Sequence, residues 1–298
     1  MTSESLFGVK TNFWFLLMSR KRITITINQS LINLLDETID GAKIRNRSHA
    51  IEYLLSKSLL PQVAKAVILA GGRGIKMRPF TYEMPKSLIS VKGRPILEHT
   101  IELLRENNIR DIVISIGYLG EKIRTYFGDG SRFGVKINYV EQGLNGEAGT
   151  GGALAAVRHL INDQAFIMMH GDVLADINLI DLMEFHRNQN KIATMALTTV
   201  KDSSPWGVVK LHGMEIKEFR EKPKDNENLS RLINAGIYIL EPNIFDYFPK
   251  RSKSFRLEKV VIPHLAEARQ LAGFMFEGKW FDIGTPEIYE RVIKEWPK

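Results

Sequence analysis

With no cysteine among its 298 residues, the chain can carry no disulfide framework and no thiolate ligand or nucleophile. Its composition, 44% apolar and 25% charged, is that of a globular protein able to bury a core without staples, and it suits a reducing cytoplasm as the location. The net charge of +7 favours anionic partners such as nucleotides or nucleic acid.

The first apolar run, Phe13-Trp14-Phe15-Leu16-Leu17-Met18, is far short of the ~20 residues that span a bilayer. The basic Arg20-Lys21-Arg22 follow that run, the wrong order for a signal peptide. Residues 1–18 therefore read as a disordered tail with no membrane role, a membrane-surface anchor being the alternative, and Met18 is a second candidate start.

Arg22-Ile23-Thr24-Ile25-Thr26-Ile27-Asn28 alternates strictly, and period two with β-branched side chains predicts a half-buried strand. A helix follows from about Ser30, with Leu31, Leu34, Leu35 and Ile39 on one face and Gly41 as its C-terminal cap. Ser48 is placed to cap a second helix carrying Ile51, Leu54, Leu55 and Leu59. One strand and two helices in about forty residues bury too little surface to fold alone, and the lone strand leaves an unpaired edge. Pairing with the same strand of a second chain, in a homodimer or higher oligomer, answers both.

This stretch, within a first domain at 19–61, resembles the ribbon-helix-helix DNA-binding family (the CopG, Arc and MetJ type). The likeness lies in the Ile/Thr alternation, the glycine turn and the Arg-Asn-Arg-Ser lead-in to the second helix. It implies double-stranded DNA as a partner, with the paired strands in the major groove. Arg22, Thr24 and Thr26 would face the bases, and the start of the second helix, around Arg47 and Ser48, would hold a phosphate. A dimerisation arm that touches no DNA is the plainer alternative.

Pro61 stops the second helix, and a second domain spans 62–298. Residues 64–69, 111–116 and 165–169 are continuous apolar runs typical of buried parallel strands. Helical patterns lie between them at about 96–107, 120–127 and 152–159. Such alternation predicts a doubly wound, Rossmann-like α/β domain with ligands at the carboxyl ends of its strands.

The first strand runs into Leu69-Ala70-Gly71-Gly72-Arg73-Gly74-Ile75-Lys76-Met77-Arg78-Pro79. Glycines after a buried strand let backbone N–H groups approach phosphate oxygens closely. The string is not a Walker loop, which needs Gly-Lys-Ser/Thr, nor a Rossmann fingerprint, whose third glycine is replaced by Met77. Thr81, Pro85-Lys86 and Val91-x-Gly93-x-Pro95 follow. With them, the string resembles Gly-x-Gly-x-Arg-x-x-Pro-x-Thr-x-x-x-Pro-Lys, the signature of the sugar-1-phosphate nucleotidyltransferases (nucleotide-sugar pyrophosphorylases). The resemblance runs from Ala64 to about Glu295.

It implies a GT-A-like mixed sheet, transfer of a nucleotidyl group from a nucleoside triphosphate to a sugar 1-phosphate, and Mg²⁺ as cofactor. Leu69, Ala70, Gly71, Gly72 and Gly74 would face the nucleotide. Gly149 and Thr150 would join them, from a string similar to the family's Gly-Thr-Ala-Gly-Ala-Leu loop. Lys86 would neutralise triphosphate or sugar-phosphate charge. Lys76 stands where the family usually has arginine, keeping the charge without the bidentate fork. Asp172, in His170-Gly171-Asp172, and Asp282, in Trp280-Phe281-Asp282, would share the magnesium, while His170 reads as a packing residue. The matches at 219–223 and 234–238 imply Glu221, Asn234 and Gly236 on the sugar and Lys222 on its phosphate. Thr285-Pro286 reads as the cap and first residue of the last helix. The Gly-Thr-Gly-Gly variant and the short C-terminal end lean towards guanylyl transfer to a mannose- or heptose-type sugar over uridylyl or thymidylyl transfer. The alternative, motivated by Lys76, is a transcriptional regulator whose second domain is a non-catalytic sugar-nucleotide sensor.

Overall fold

A computed structural model of the chain describes residues 22–41, 44–59, 63–142, 148–161, 163–223, 230–252 and 254–297. The expected tail at 1–18 lies outside the described residues. The chain divides into two units at Leu60 and Pro61.

The first unit contains helices α1 (Gln29–Glu37) and α2 (Arg47–Leu59). Asn28 caps α1, its Oδ1 accepting the Ser30 N–H at 2.9 Å. Two expectations about the helix ends are corrected. The first helix stops at Glu37, where Thr38 is the C-cap and its hydroxyl donates to the Leu35 carbonyl at 2.7 Å. Gly41 lies beyond it, in a turn at φ 73°. Ser48 sits inside the first turn of α2. Asn46 is the cap, its Oδ1 accepting the His49 N–H at 2.9 Å while its backbone carbonyl accepts the Ala50 N–H. Leu35 and Ala50 are buried, but Ile23 is 65%, Ile25 51%, Leu31 56% and Leu34 57% exposed. Residues 22–28 join no ladder among the described residues, so the expected strand is not formed there.

The second unit is built on one sheet. Its strands are β1 (Lys65–Ala70), β4 (Asp111–Ile116), β5 (Lys136–Glu141), β6 (Phe166–His170), β8 (Ala193–Thr199), β9 (Gly207–His212), β10 (Glu215–Glu221), β11 (Leu232–Leu240) and β12 (Leu271–Met275). Their order is β5-β4-β1-β6-β11-β8-β12-β10-β9. The first four are parallel, and β11 pairs antiparallel to both β6 and β8. The sheet is therefore mixed beyond β6, as the resemblance implied.

Strand residues alternate between the two faces. Ala66, Ile68, Ile112 and Ile114 pack into one core layer, and Val67 and Val113 into the other. Both faces are covered, which is why these strands read as unbroken apolar runs. Helices α3 (Ile96–Glu106), α4 (Gly120–Phe127), α5 (Gly149–Ala156), α6 (Leu179–Gln189) and α7 (Leu257–Glu267) accompany the sheet.

From β1 the chain builds outward through β4 to β5, then returns to lay β6 on the other side of β1. The order reverses between β1 and β6, the crevice where open α/β sheets bind ligands. There the Gly171 N–H donates to the Leu69 carbonyl at 2.9 Å, tying the two strand ends together. A third apolar cluster, including Met77, Ile89, Leu174, Phe281 and Ile283, lies beneath the loop after β1. It anchors the short antiparallel pair β7 (Val173–Ala175) and β13 (Trp280–Asp282); a second short antiparallel pair, β2 (Ser90–Val91) and β3 (Arg94–Pro95), precedes α3. Thr285 then caps the last helix, α8 (Pro286–Glu295), with Pro286 in its first turn.

Candidate active site

A cleft of about 400 Å³ opens at the β1/β6 switch point. From the residues read as functional, Leu69, Gly71, Gly72, Gly149, Thr150, Asp172, Glu221, Lys222, Asn234, Gly236 and Asp282 all line it. They come from six separate stretches of chain, brought together by the strand order.

Four others lie elsewhere. Ala70 is buried at the end of β1, in the core layer of Ala66 and Ile68. Gly74 is at φ 58°, leading into the short 3₁₀ turn Ile75–Met77, and its carbonyl accepts the Thr81 hydroxyl at 2.8 Å. Lys76 is exposed on that turn, outside the lining. Lys86 sits behind the lining, with only 15% of its side chain exposed.

The position of Lys86 organises the charge. Its Nζ lies 2.6 Å from Asp172 Oδ2 and 3.7 Å from Asp282 Oδ1. The two carboxylates face each other because β7 and β13 pair just after and at those residues: Asp282 is opposite Val173, and the Ile283 N–H donates to the Asp172 carbonyl at 3.0 Å. Burial disfavours the Lys86 ammonium, but Asp172 and Asp282 outweigh it and hold its pKa above the usual lysine value. Burial likewise works against the Asp172 anion, yet Lys86 and His170 keep that group below its usual value. Asp282 is pushed the other way, by burial and then by the charge of Asp172.

A second carboxylate group lies deeper. Glu258, on α7, is 6% exposed. Its Oε2 accepts the Thr150 hydroxyl at 2.6 Å, and that hydroxyl oxygen accepts the Leu257 N–H at 2.9 Å. Its Oε1 is 3.5 Å from His170 Nε2. Burial opposes both charges of this pair. The His170 contact still lowers the Glu258 pKa, and the Glu258 contact still raises that of His170. His170 thus lines the cleft with Nε2 towards the Glu258 carboxylate, an ion pair when the ring is protonated, while its ring packs near Gly236 and Tyr238. Burial and then the charge of Glu258 raise the Glu221 pKa above the usual carboxylate value.

The glycine string at 149–152 is itself the start of α5, so the helix expected from about 152 begins three residues earlier. Gly149 has φ 66°, and a Cβ there would lie 2.5 Å from the Phe255 carbonyl oxygen. That same carbonyl accepts the N–H groups of Gly151 at 2.9 Å and Gly152 at 3.3 Å. Gly149→Ala is therefore expected to destabilise the unit by about 1–3 kcal/mol through left-handed strain and the displaced carbonyl, measurable as a shift in denaturation midpoint. Gly236, at φ 73°, brings its backbone against the His170 ring in a space that a Cβ would crowd at 2.9 Å.

Sequence reasoning missed Gln142, Trp206, Arg256 and Glu258, all of which line the cleft. Glu258 had a signal. It falls four and seven residues before Ile262 and Leu265, so a carboxylate occupies the apolar stripe of α7.

A glycine-lined cleft at the switch point, with two facing carboxylates and Lys222 in its lining, defines an α/β domain of the kind that binds ligands at the carboxyl ends of its strands. A model of the family described as Nucleotidyl transferase matches residues 65–297, and the chain belongs to that family. It is similar to the UTP–glucose-1-phosphate uridylyltransferase of Synechocystis sp., with 35% identity over 243 residues, covering 77% of this chain and 62% of that protein. It is similar as well to the mannose-1-phosphate guanylyltransferase catalytic subunit beta of Danio rerio, with 34% identity over 230 residues, 76% of this chain and 62% of that one. The chain thus spans less than two thirds of the length of these relatives. Among solved structures, HddC from Yersinia pseudotuberculosis shares the fold, with a TM-score of 0.66 at 23% identity over 78% of this chain and 100% of that one.

Proposed function

We propose that the second unit transfers a nucleotidyl group from a nucleoside triphosphate to a sugar 1-phosphate, yielding an NDP-sugar and pyrophosphate. A sugar-phosphate oxygen attacks the α-phosphorus, and the bond from that phosphorus to the β-phosphate bridging oxygen breaks as pyrophosphate leaves. The nucleophile is already an anion, so no strong general base is needed, and positioning with charge neutralisation does most of the work. The observation that carries this reading is the pair Asp172 and Asp282 bridged by a buried lysine in a glycine-lined cleft.

Gly71, Gly72, Gly149 and Thr150 line the nucleotide side. Glu221, Asn234 and Gly236 line the sugar side, with Lys222 for the sugar phosphate. Lys76, on the exposed turn, would meet the leaving phosphates.

The donor chemistry suits Mg²⁺, since two carboxylates are hard oxygen ligands. Substrate phosphates and water would complete the shell. When bound there, the metal would supply neutralisation of developing phosphate charge. Guanylyl transfer to a mannose- or heptose-type sugar is the favoured pair, with uridylyl and thymidylyl transfer behind it. Incubating the protein with Mg²⁺, each nucleoside triphosphate and a panel of sugar 1-phosphates tests all of this through pyrophosphate release; silence across the panel would overturn the enzyme reading.

For the first unit we propose a ribbon-helix-helix dimer that binds double-stranded DNA, in a protein of the cytoplasm. Exposed Ile23 and Ile25 beside exposed Leu31 and Leu34 support it, since a second copy of the same strand would cover them. Arg22, Thr24 and Thr26 would read bases. Arg47 and Ser48 would hold a phosphate, in competition with Asp36, which Arg47 engages at 2.7 Å through two parallel bonds. Ile25→Lys is expected to halve the sedimenting mass and to abolish DNA binding. Wild-type affinity should fall steeply with salt; a flat salt response or an unchanged mass in the variant counts against this assignment.

A further inference from the structure

Trp206 belongs to no motif, yet three parts of the cleft meet on it. It directly precedes β9, on a turn in which its N–H donates to the Ser203 carbonyl at 3.1 Å. Its indole N–H donates to Asp282 Oδ2 at 3.1 Å. Its carbonyl accepts the N–H of Lys222 at 3.0 Å. Its ring meets Trp280 edge to face, with centroids 5.6 Å apart, and the Trp280 indole donates to the Ala235 carbonyl at 2.9 Å, between Asn234 and Gly236.

The chemistry of an indole suits that place. It is neutral and can only donate. It therefore orients one oxygen of Asp282 without cancelling the charge, and leaves Oδ1 facing the Lys86 ammonium at 3.7 Å. A lysine or arginine in the same position would compete with a bound cation for the carboxylate. A phenylalanine would leave Oδ2 free to rotate. The backbone contact matters for a second reason. Lys222 is a non-glycine residue at φ 49°, in the left-handed region, and the bond from its N–H to Trp206 holds that conformation and keeps its side chain at the cleft.

We propose that Trp206 is a positioning residue for the transfer reaction: its indole sets the Asp282 carboxylate for the metal, and its carbonyl sets Lys222. This rests on the reading of Asp282 as a metal ligand. Groups that orient a ligating carboxylate change metal affinity by about ten- to a hundredfold when removed. Trp206→Phe keeps an aromatic ring against Trp280 and removes only the donor.

The test uses the full chain and Mn²⁺ alone, with free Mn²⁺ followed by electron paramagnetic resonance. The Phe variant should melt as the wild type does and bind Mn²⁺ at least about tenfold more weakly. The chain has 4 tryptophans, so its indole N–H spectrum offers a direct signature. The resonance lost in Trp206→Phe should shift upfield in Asp282→Ala, which removes the acceptor, and should be the first to broaden with Mn²⁺. Mn²⁺ affinity within twofold of wild type in Trp206→Phe, or an indole resonance unmoved by Asp282→Ala, overturns the proposal. Equal Mn²⁺ binding by wild type and Asp282→Asn would instead show that Asp282 is not a metal ligand, and the role of Trp206 would fall with it. If Trp206→Phe does not fold, the Asp282→Ala comparison still decides, with the resonance assigned by elimination from the other three single Trp→Phe variants.

Discussion

Asp282→Asn is expected to lower the rate of pyrophosphate release by about a thousandfold or more, on the order of 4 kcal/mol of transition-state stabilisation, while the melting temperature stays level or rises. The two halves of that expectation come from one geometry. Asp282 is held close to Asp172 by the β7–β13 pair, and its ionised form is disfavoured by burial and by that neighbouring charge. An amide removes the repulsion, and its carbonyl oxygen can still accept from the Trp206 indole. The fold loses nothing, yet the hard anionic ligand is gone. Asp172→Asn should differ in stability. Asp172 is the nearer partner of Lys86, at 2.6 Å against 3.7 Å for Asp282, so its loss leaves a buried ammonium with only the more distant carboxylate. That variant should lose turnover and melt lower. Pyrophosphate release and thermal melts on the two variants separate the cases, and wild-type turnover in Asp282→Asn would remove the metal assignment.

The parts of the site that were legible in the sequence are those where one backbone segment carries its own chemistry. Gly71 and Gly72 follow an unbroken apolar strand, and Asp172 follows another, so periodicity alone put both at strand ends. The facing of Asp172 and Asp282 was implied only by resemblance, since the residues are 110 positions apart and nothing local links them. What stayed hidden was whatever depends on three-dimensional partners. Trp206 reads as an ordinary aromatic before a strand until Asp282 and Lys222 are placed beside it. Glu258 and His170 lie on different elements, and although a carboxylate in an apolar helix stripe is a signal, its partner shows only when the two are placed 3.5 Å apart. Lys86 was read as a phosphate ligand, but its buried contact with both carboxylates required β7 and β13 to be paired first. The first unit failed in a different way. Its strand pattern is plain at 22–28, but the described residues hold no ladder for that strand.

Lys86→Met should have the second largest effect, and it separates two roles that one ammonium can hold. Without substrate, Lys86 is the counter-charge of Asp172 and Asp282; during transfer it would face phosphate oxygens. Removing one partner of a fully buried ion pair costs about 3–5 kcal/mol. Here the carboxylates are 34% and 32% exposed, so solvent screens them and about 2 kcal/mol is the better expectation. For a unit of this size that is a fall in melting temperature of roughly 4–8 °C. Turnover should drop by about a hundredfold or more, because a donor aimed at developing phosphate charge is lost. Mg²⁺ should then raise the melting temperature of the variant by more than it raises that of the wild type, since the uncompensated carboxylates bind the cation without displacing a lysine. A lowered melting temperature with full turnover would confine Lys86 to charge balance in the resting protein. Lost turnover with an unchanged melting temperature, and no added response to Mg²⁺, would mean that its contact with the carboxylates contributes nothing and that it acts on substrate alone.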